Sequence, residues 1–393
     1  MNHQLLFYLG DLLIGDINQI AKNRKLSETL KSEATSPTAD TFSFSVNWTL
    51  FKRFINRFTS EPAQDFLKVG KTRIVFVENG FVRFAGYLAS RPGRSGAGSE
   101  QQLELNFYEY FARLSGDLVC SDSNKTDPMR TFTNTPAHQY AKSLIDSFIT
   151  HAGTAGETLN WDYGQVDTLG NKTITYKDFQ TISKALCDAM NNVEGAGKFD
   201  VVFRTDPEDY THQLIDILQP RGMRKNITIR FPADGIYKIW ASDFSVQETN
   251  EYASEVLIAG NGQVGDVSEG EQTAPLGVAA DTDFAEEFCY FRAYITKSNL
   301  VSQARVNQEA VNQLAMMSFG KETPQLSLTG RPINWGNATD ENAGLALGDS
   351  FYFEEAVDDL GDNSGYYRII KIDESWDDNG VSTVKPTLLP EDE

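Results

Sequence analysis

The sequence predicts an α+β protein that is mostly β: two related small antiparallel β-barrels with an α/β insert domain between them. Two hairpins far apart in the chain share one pattern. The hydrophobic period changes from about 2 to about 3.6 residues near Thr131, and it returns to that of a strand from about residue 226. We therefore expect a first barrel over residues 1–125, the insert over 126–225 and a second barrel over 226–393.

The repeated pattern is a leucine, a Val or Leu two residues later, a glycine, a charged residue and a Ser or Thr, followed by two strands. It reads LKVGKT at residues 67–72, before a hairpin that returns through Gly86, and LALGDS at residues 345–350, before one that returns through Gly365. We interpret the copies as a duplicated antiparallel unit. The alternative is that any tight hairpin recruits glycine and β-forming residues, because the shared letters are few.

The charge is acidic and uneven along the chain. The net charge is −20, yet residues 1–115 carry 14 Lys and Arg against 11 Asp and Glu, so the remainder has a net charge of −23. Residues 341–393 alone hold 14 acidic and 3 basic side chains. Such a chain repels nucleic acid and anionic membranes. A 40% hydrophobic content with 25 Phe indicates folded cores.

The first section shows five or six strands. The apolar residues 5–9 and 12–14 are interrupted by Asp11, with no preceding Lys or Arg and no following cleavage site, which predicts a strand rather than a signal peptide. Asn79–Gly80 favours a type I′ hairpin turn. Because about eight strands close a small barrel, we expect the first barrel to borrow a strand from residues 226–245.

The insert is predicted to hold three helices around a short strand at 199–203. Thr135 is the expected N-cap of the first helix, with Pro136 at its first position. The second covers residues 179–193, and the third begins at Asp206 and ends before Pro220. Four side chains are expected in its core: Phe179, Leu186, Leu214 and Ile217.

The last section returns to about eight strands. We expect a hairpin over residues 227–240, a polar loop within 260–285 and a helix at 298–319. The apolar face predicted for that helix consists of Leu300, Ala304, Val311, Leu314 and Met317. No apolar run approaches the roughly 18 residues of a membrane-spanning helix, so no span is predicted.

Two motifs suggest catalysis or nucleotide binding without completing the required pattern. Gly260, Gly262 and Gly265 have the spacing of a dinucleotide fingerprint, but no helical period follows to receive a pyrophosphate. Gly348-Asp349-Ser350 resembles the block around an esterase nucleophile, but no His follows to act as its base. We therefore predict a strand start at Ser350 and no nucleotide cofactor.

The metal-ligating residue types do not form a recognisable site. Asp358, Asp359, Asp362 and Asn363 lack the alternate spacing and distal Glu of a calcium loop. The histidines are His3, His138, His151 and His212, and the cysteines are Cys120, Cys187 and Cys289; neither set has metal spacing. The sequence thus predicts no catalytic, cofactor-binding or metal-binding residues and no enzymatic activity.

The order of barrel, insert and second barrel resembles the trimeric hub proteins at the tail tip or baseplate of long-tailed bacteriophages, in a short form without a C-terminal extension. The best matching pieces are residues 13–20, 66–89, 103–114, 255–262, 299–331 and 345–371. These motifs are architectural rather than catalytic.

The resemblance implies a homotrimeric adaptor in the virion tail tip, assembled in the cytoplasm of the host bacterium. Its expected partners are the distal tail or tail tube hexamer, the tape measure protein, and tip fibres or receptor-binding proteins. Viral DNA would pass through the trimer without specific binding.

Two other function classes stay open. A host-surface glycan-binding module would use exposed aromatic residues such as Tyr290, Phe291, Tyr294 or Trp335 together with convergent polar groups, although we expect these rings in a core. A cell-wall or ester hydrolase would need a catalytic constellation that the sequence does not show.

Overall fold

A computed structural model of the chain forms two compact units, Met1–Phe244 with Leu326–Glu393, and Ser245–Gln325. The structure describes residues 3–34, 36–96, 101–121, 127, 129–176, 179–191, 198–219, 222, 224–231, 239–247, 253–260, 276–282, 285, 290–296, 303–317, 323–330, 345–355, 364–377 and 382–391. Most of the ordered elements are strands, as the sequence predicts.

The first section contains eight strands and one α-helix. They are β1 His3–Leu9, β2 Leu12–Asp16, β3 Ala21–Thr29, β4 Thr41–Asn47, α1 Trp48–Ile55, β5 Thr72–Glu78, β6 Phe81–Leu88, β7 Gly93–Ser95 and β8 Gln102–Glu109. The strand order is β3-β4-β8-β6-β5-β1-β2, with β7 beside β8, and all of these neighbours are antiparallel. Asn79 and Gly80 have φ angles of 51° and 87° at the predicted tight turn.

In its described residues, the insert contains two α-helices and five strands. They are β9 Arg130–Pro136, α2 Ala137–Thr154, β10 Trp161–Val166, β11 Asn171–Tyr176, α3 Ile182–Asn191, β12 Asp200–Thr205 and β13 Gln213–Leu218. The first two predicted helices are confirmed, but Thr135 lies in β9, and α2 begins after Pro136.

The predicted third helix is wrong, because β13 occupies that stretch between β10 and β12. A short apolar run that is buried on both faces of a sheet has the same composition as a buried helical segment. Leu186 and Ile217 are buried in the insert core as predicted. Phe179 is exposed and Leu214 is half-buried, so these two core predictions are not met.

The last section completes the chain. Its elements are β14 Arg224–Phe231, β15 Ile239–Gln247, β16 Glu255–Ala259, β17 Leu276–Ala280, β18 Arg292–Thr296, α4 Gln303–Met317, β19 Thr323–Gly330, β20 Ser350–Glu355, β21 Gly365–Trp376 and β22 Ser382–Pro390. Within the first unit the strand order is β15-β19-β22-β21-β3, and β20 pairs with both β21 and β14. The predicted 227–240 hairpin is therefore wrong: β14 pairs in parallel with β20, whereas β15 pairs with β19.

The strand of the last section that pairs with the first section is β21. Its residues Lys371–Ser375 pair antiparallel with Lys25–Thr29 of β3, so the expected donor at 226–245 is wrong. Over the described strands the order has free ends at β2 and β15, and no ring of paired strands closes. The two closed barrels stay a prediction.

In its described residues, the second unit contains a three-stranded sheet covered on one face by a helix. β16 lies between β17, which is antiparallel to it, and β18, which is parallel. The predicted 298–319 helix is α4, but Val311 is exposed and the buried face is Val306, Ala310 and Leu314. The predicted 260–285 loop also contains β17. None of the described helices is long and apolar enough to cross a membrane.

Candidate functional site

The two copies of the sequence repeat adopt the same loop conformation. Gly70 and Gly348 have φ angles of 76° and 91°. The N–H of Gly70 donates to the carbonyl of Leu88 at 3.0 Å, and the N–H of Gly348 donates to the carbonyl of Ile369 at 2.8 Å. Each acceptor belongs to the returning strand of its hairpin, and each glycine lies two residues before the first strand of that hairpin begins, at Thr72 or at Ser350.

The residues around these glycines repeat the same contacts. The N–H of Lys71 donates to the carbonyl of Lys68 at 3.1 Å, and the N–H of Asp349 donates to that of Ala346 at 3.0 Å. A side chain also closes each loop, from a position that differs by one residue between the copies: Thr72 Oγ1 accepts the N–H of Lys68, and Asp349 Oδ2 accepts that of Ala346. The agreement extends from sequence to backbone geometry, which supports duplication over a chance resemblance between hairpins.

Within the first unit, the strands of the first section form one half, and β14 with β19 to β22 form the other half, each around its own core. The two halves exchange apolar side chains where β3 pairs with β21. Trp376, from the last section, packs in the core of the first half, with its ring centroid 5.2 Å from that of Phe76 and 6.4 Å from that of Phe42. Leu30, from the first section, is fully buried in the core of the second half, and its N–H donates to the carbonyl of Ile370 at 2.8 Å. Each core is therefore incomplete without a residue from the other half.

A buried charge network spans the same junction. The Arg83 guanidinium on β6 binds Glu78 on β5 and Glu374 on β21, and Glu28 Oε2 on β3 lies 3.9 Å from Arg83 Nη2. His3 Nε2 lies 2.9 Å from Glu78 Oε1. Burial raises the pKa of Glu374 despite its pairing with Arg83. Burial also acts to raise the pKa of Glu78, but the His3 hydrogen bond and the Arg83 charge outweigh it and lower that pKa.

A second buried pair anchors the insert to the end of β3. Lys31 Nζ lies 2.8 Å from Glu109 Oε2, and both side chains are nearly inaccessible. The other Glu109 oxygen accepts the N–H of Phe203 in the insert. Burial raises the pKa of Glu109 although Lys31 opposes the shift. Such a buried ion pair holds the insert in a fixed position, because moving one partner away would leave the other charge buried without a partner or solvent.

The esterase-like block is structural. Ser350 is buried at the first position of β20, and its neighbour Asp349 lies 3.5 Å from Lys225 Nζ, with both charged side chains almost fully buried. The predicted strand start is confirmed. The Gly260–Gly265 motif largely lies outside the described residues, as do Asp358, Asp359, Asp362 and Asn363.

The histidines lie in separate environments. His3 contacts Glu78, His138 Nδ1 accepts the N–H of Leu169, His151 contacts Asp117, and His212 lies between Asp162 and Asp206. Cys120 and Cys187 are buried, Cys187 Sγ donates to the carbonyl of Ala34, and Cys289 lies outside the described residues. Within the described part of the chain, no group of three or more His, Cys, Asp and Glu is arranged to hold a metal ion.

Many of the described acidic residues near the C-terminal hairpin are neutralised. Glu354 pairs with Arg230, Asp373 with Lys371, Glu374 with Arg83 and Asp349 with Lys225. Residues 341–393 also include Asp358, Asp359, Asp362 and Asp378, which lie outside the described residues.

The aromatic residues of the second unit are exposed rather than buried in a core. Tyr290, Phe291 and Tyr294 are each about half or more accessible to solvent, so the expectation of a core position is wrong. Trp335 lies outside the described residues. Periodicity could not have shown this, because β16 and β17 carry apolar residues on both faces of the sheet, without the usual alternation of apolar and polar side chains.

Solved structures are similar in fold to this protein over nearly the whole chain. The 43 kDa tail protein of prophage MuSo2 from Shewanella oneidensis matches with a TM-score of 0.60 and 14% identity, over 98% of each chain. The chain has the fold of phage tail proteins. A tail protein from Neisseria meningitidis MC58 matches with a TM-score of 0.58 and 12% identity, over 100% of this chain and 97% of that one.

The prophage tail protein gp18 from Listeria monocytogenes EGD-e matches with a TM-score of 0.52 and 9% identity, over 99% of this chain and 95% of its own. No protein-family model and no curated protein sequence matches the chain. At these identities the likeness concerns the fold, and it agrees with the resemblance read from the order of the elements.

Proposed function

We propose that the chain is a structural hub of a phage tail tip or baseplate: a homotrimeric adaptor that joins the six-fold tail to three-fold tip components. The observation that carries the proposal is the duplicated loop and hairpin at Gly70 and Gly348. Two matched halves in each chain give six in a trimer, so a three-fold object can present six similar surfaces to a hexameric ring.

The contacts between the halves suit an adaptor. The exchange of Trp376 and Leu30 and the buried Arg83 network fix the two halves relative to each other. A fixed relation between the halves is what pseudo-six-fold symmetry requires. The distal tail or tube hexamer would contact the six similar surfaces, while the tape measure protein and tip fibres would occupy three-fold positions.

The charge supports a channel through which DNA passes without binding. A net charge of −20 disfavours contact with phosphates, whereas DNA-binding channels need the opposite sign. We propose that carboxylates of this acidic chain line the channel. The alternative is that the acidity only keeps the protein soluble.

The chain is proposed to act without catalysis. Ser350 is buried, its charged neighbours are Asp349 and Lys225, and the described histidines each contact other residues. We expect the purified protein to turn over neither peptidoglycan nor ester substrates. Turnover that one point substitution abolishes would contradict this part of the proposal.

Glycan binding is a second candidate because Tyr290 and Tyr294 are exposed. The polar groups beside these rings are Glu255 and Arg292, which bind each other, and Tyr290 donates its hydroxyl to Glu255. These groups are thus committed to internal contacts, which makes this function the weaker candidate.

A nonsense mutation in the gene, in a phage that carries it, separates the two functions. Without a hub, the parts that it joins cannot assemble, so we expect no complete tails by electron microscopy when the phage grows in a non-suppressing host. A peripheral glycan-binding protein would instead leave intact tails that fail to adsorb.

A further inference from the structure

Among the described residues, one face of the second unit's sheet is covered by α4 and the other face is covered by no element; we call the latter the open face. Val256 and Ile258 of β16 point toward α4, together with Ala279 and Ile295 of the flanking strands. A Cβ at Gly277 would lie 2.2 Å from the carbonyl oxygen of Val306, so only glycine permits this approach of β17 to the helix. The alternate residues of all three strands therefore point away from α4.

The open face is apolar at its centre. Leu257 pairs with Val278 on one side and with Tyr294 on the other, which makes one row across the sheet. In the adjacent row Ala259 lies between Leu276 and Thr296. Val278, Tyr294 and Leu276 are exposed, so this row and its neighbour form a largely apolar surface.

The third row of the open face carries no net charge. Glu255 lies between Ala280 and Arg292, and the Arg292 guanidinium binds both oxygens of Glu255 at 2.8 and 3.0 Å. The two opposite charges cancel within the face. A neutral apolar surface thus occurs on a chain whose net charge is −20.

We propose that this open face is covered by a second copy of the chain in the assembled trimer, an inference that rests on the proposed function. Two copies that each carry a net charge of −20 repel each other at most orientations. A face without net charge is where this repulsion is smallest and where the burial of Leu276, Val278 and Tyr294 favours contact. A basic partner would be drawn to acidic surfaces instead.

The contact is head-to-tail. A face that meets its own equivalent closes an assembly at two copies, whereas a ring of three requires each copy to present the face to a different surface of the next one. A glycan is a poorer fit, because the polar groups beside Tyr294, Glu255 and Arg292, are already hydrogen-bonded to each other, and the centre of the surface is formed by the aliphatic Leu257, Leu276 and Val278.

Val278→Glu tests the inference, with Val311→Glu as the matched control. Val278 is 51% exposed on the open face and Val311 is 53% exposed on α4, which covers the opposite face. Both variants add the same charge to the same unit, so a nonspecific effect of charge alters them equally. Tyr294→Ser provides a second variant that adds no charge. Circular dichroism and thermal unfolding establish that each variant is folded.

Sedimentation velocity of the full chain over a range of concentrations gives the readout. We expect a trimer for the wild type and Val311→Glu, and a trimer dissociation constant about 100-fold higher or more for Val278→Glu, because an unpaired charge would be buried in the contact. Tyr294→Ser should weaken the trimer as well.

An unchanged trimer in Val278→Glu overturns the inference and leaves the proposed hub intact. A wild type that stays monomeric, or that forms only dimers, also overturns it. Saturable binding of soluble peptidoglycan fragments that is lost in Tyr294→Ser would assign the face to glycan and overturn it too.

Discussion

Arg83 and Glu374 are 291 residues apart in sequence, yet Arg83 Nη2 donates to Glu374 Oε2 at 2.8 Å inside the protein. The contact joins the first hairpin of the repeat to the long strand of the second. It therefore links the two halves whose relation the proposed adaptor depends on.

Removing the positively charged Arg83 side chain should strongly destabilise this junction. Arg83→Met leaves Glu78, Glu374 and Glu28 facing each other in a buried site, so we expect a loss of about 3–5 kcal/mol in the free energy of unfolding at pH 7. Urea unfolding followed by fluorescence measures the loss. Arg113→Met is the control, because Arg113 pairs with a partly exposed Glu157 and should cost about 1 kcal/mol or less.

The cost of Arg83→Met should depend on pH. In the wild type Glu78 has a pKa below its ordinary 4.5, so its contribution to stability is present at neutral pH and is lost as the pH falls below about 4.5. Glu374 has a raised pKa, so its ionisation opposes folding as pH rises. Without Arg83 both pKa values rise, and the deficit of the variant should shrink from pH 7 to pH 5. A deficit that is constant over this range would show that the loss is not electrostatic.

Trp376 should matter to the first half although it comes from the last section. Trp376→Ala removes the contacts with Phe42 and Phe76 and should cost about 3–5 kcal/mol. Trp376→Phe should cost clearly less, because it keeps a ring and removes the indole Nε1, which has no hydrogen-bond partner in the described structure. Equal costs for both variants would contradict the packing described for this side chain.

The two repeat glycines should respond alike to a side chain. Gly70→Ala and Gly348→Ala place a Cβ on a left-handed backbone, so each should lose about 1–2 kcal/mol. Gly153→Ala is the control, because Gly153 lies in α2 with open space around its Cβ position and should gain about 0.5–1 kcal/mol. A neutral result at either repeat glycine would argue against the shared loop conformation.

The insert core is tested by two side chains that sequence periodicity placed on one helix face. Leu186 is fully buried, so Leu186→Ala should cost about 2–5 kcal/mol. Phe179 precedes α3 and is 49% exposed, so Phe179→Ala should cost less than about 0.5 kcal/mol. Comparable losses at the two positions would mean that Phe179 packs in the core after all.

Local signals in the sequence predicted the two repeat hairpins correctly, whereas the hairpin predicted at 227–240 is wrong. Asn79–Gly80 and the glycine of each repeat specify backbone conformations that few other residues adopt, so the strands beside them could be placed. The strand β3 could not be predicted in this way, because its buried residues are Ala21, Arg24 and Leu26, which show no hydrophobic alternation. Its position depends on pairing with β4 and β21, which no local pattern records.

The junction could not be predicted for the same reason. Arg83, Glu78 and Glu374 are ordinary charged residues in sequence, and their partnership arises only when distant strands meet. The open face of the second unit was missed because Tyr294 and Ile295 are both apolar, although one faces solvent and the other faces α4. Sequence pattern identified the strand but not the uncovered side.

A cryo-electron microscopy map of the assembled tail tip tests the hub proposal most directly. The hub proposal predicts three copies of the chain around one axis, with six matched halves facing the tail tube and carboxylates lining the lumen. One copy bound at the tail periphery, or a lumen lined by Lys and Arg, would contradict it.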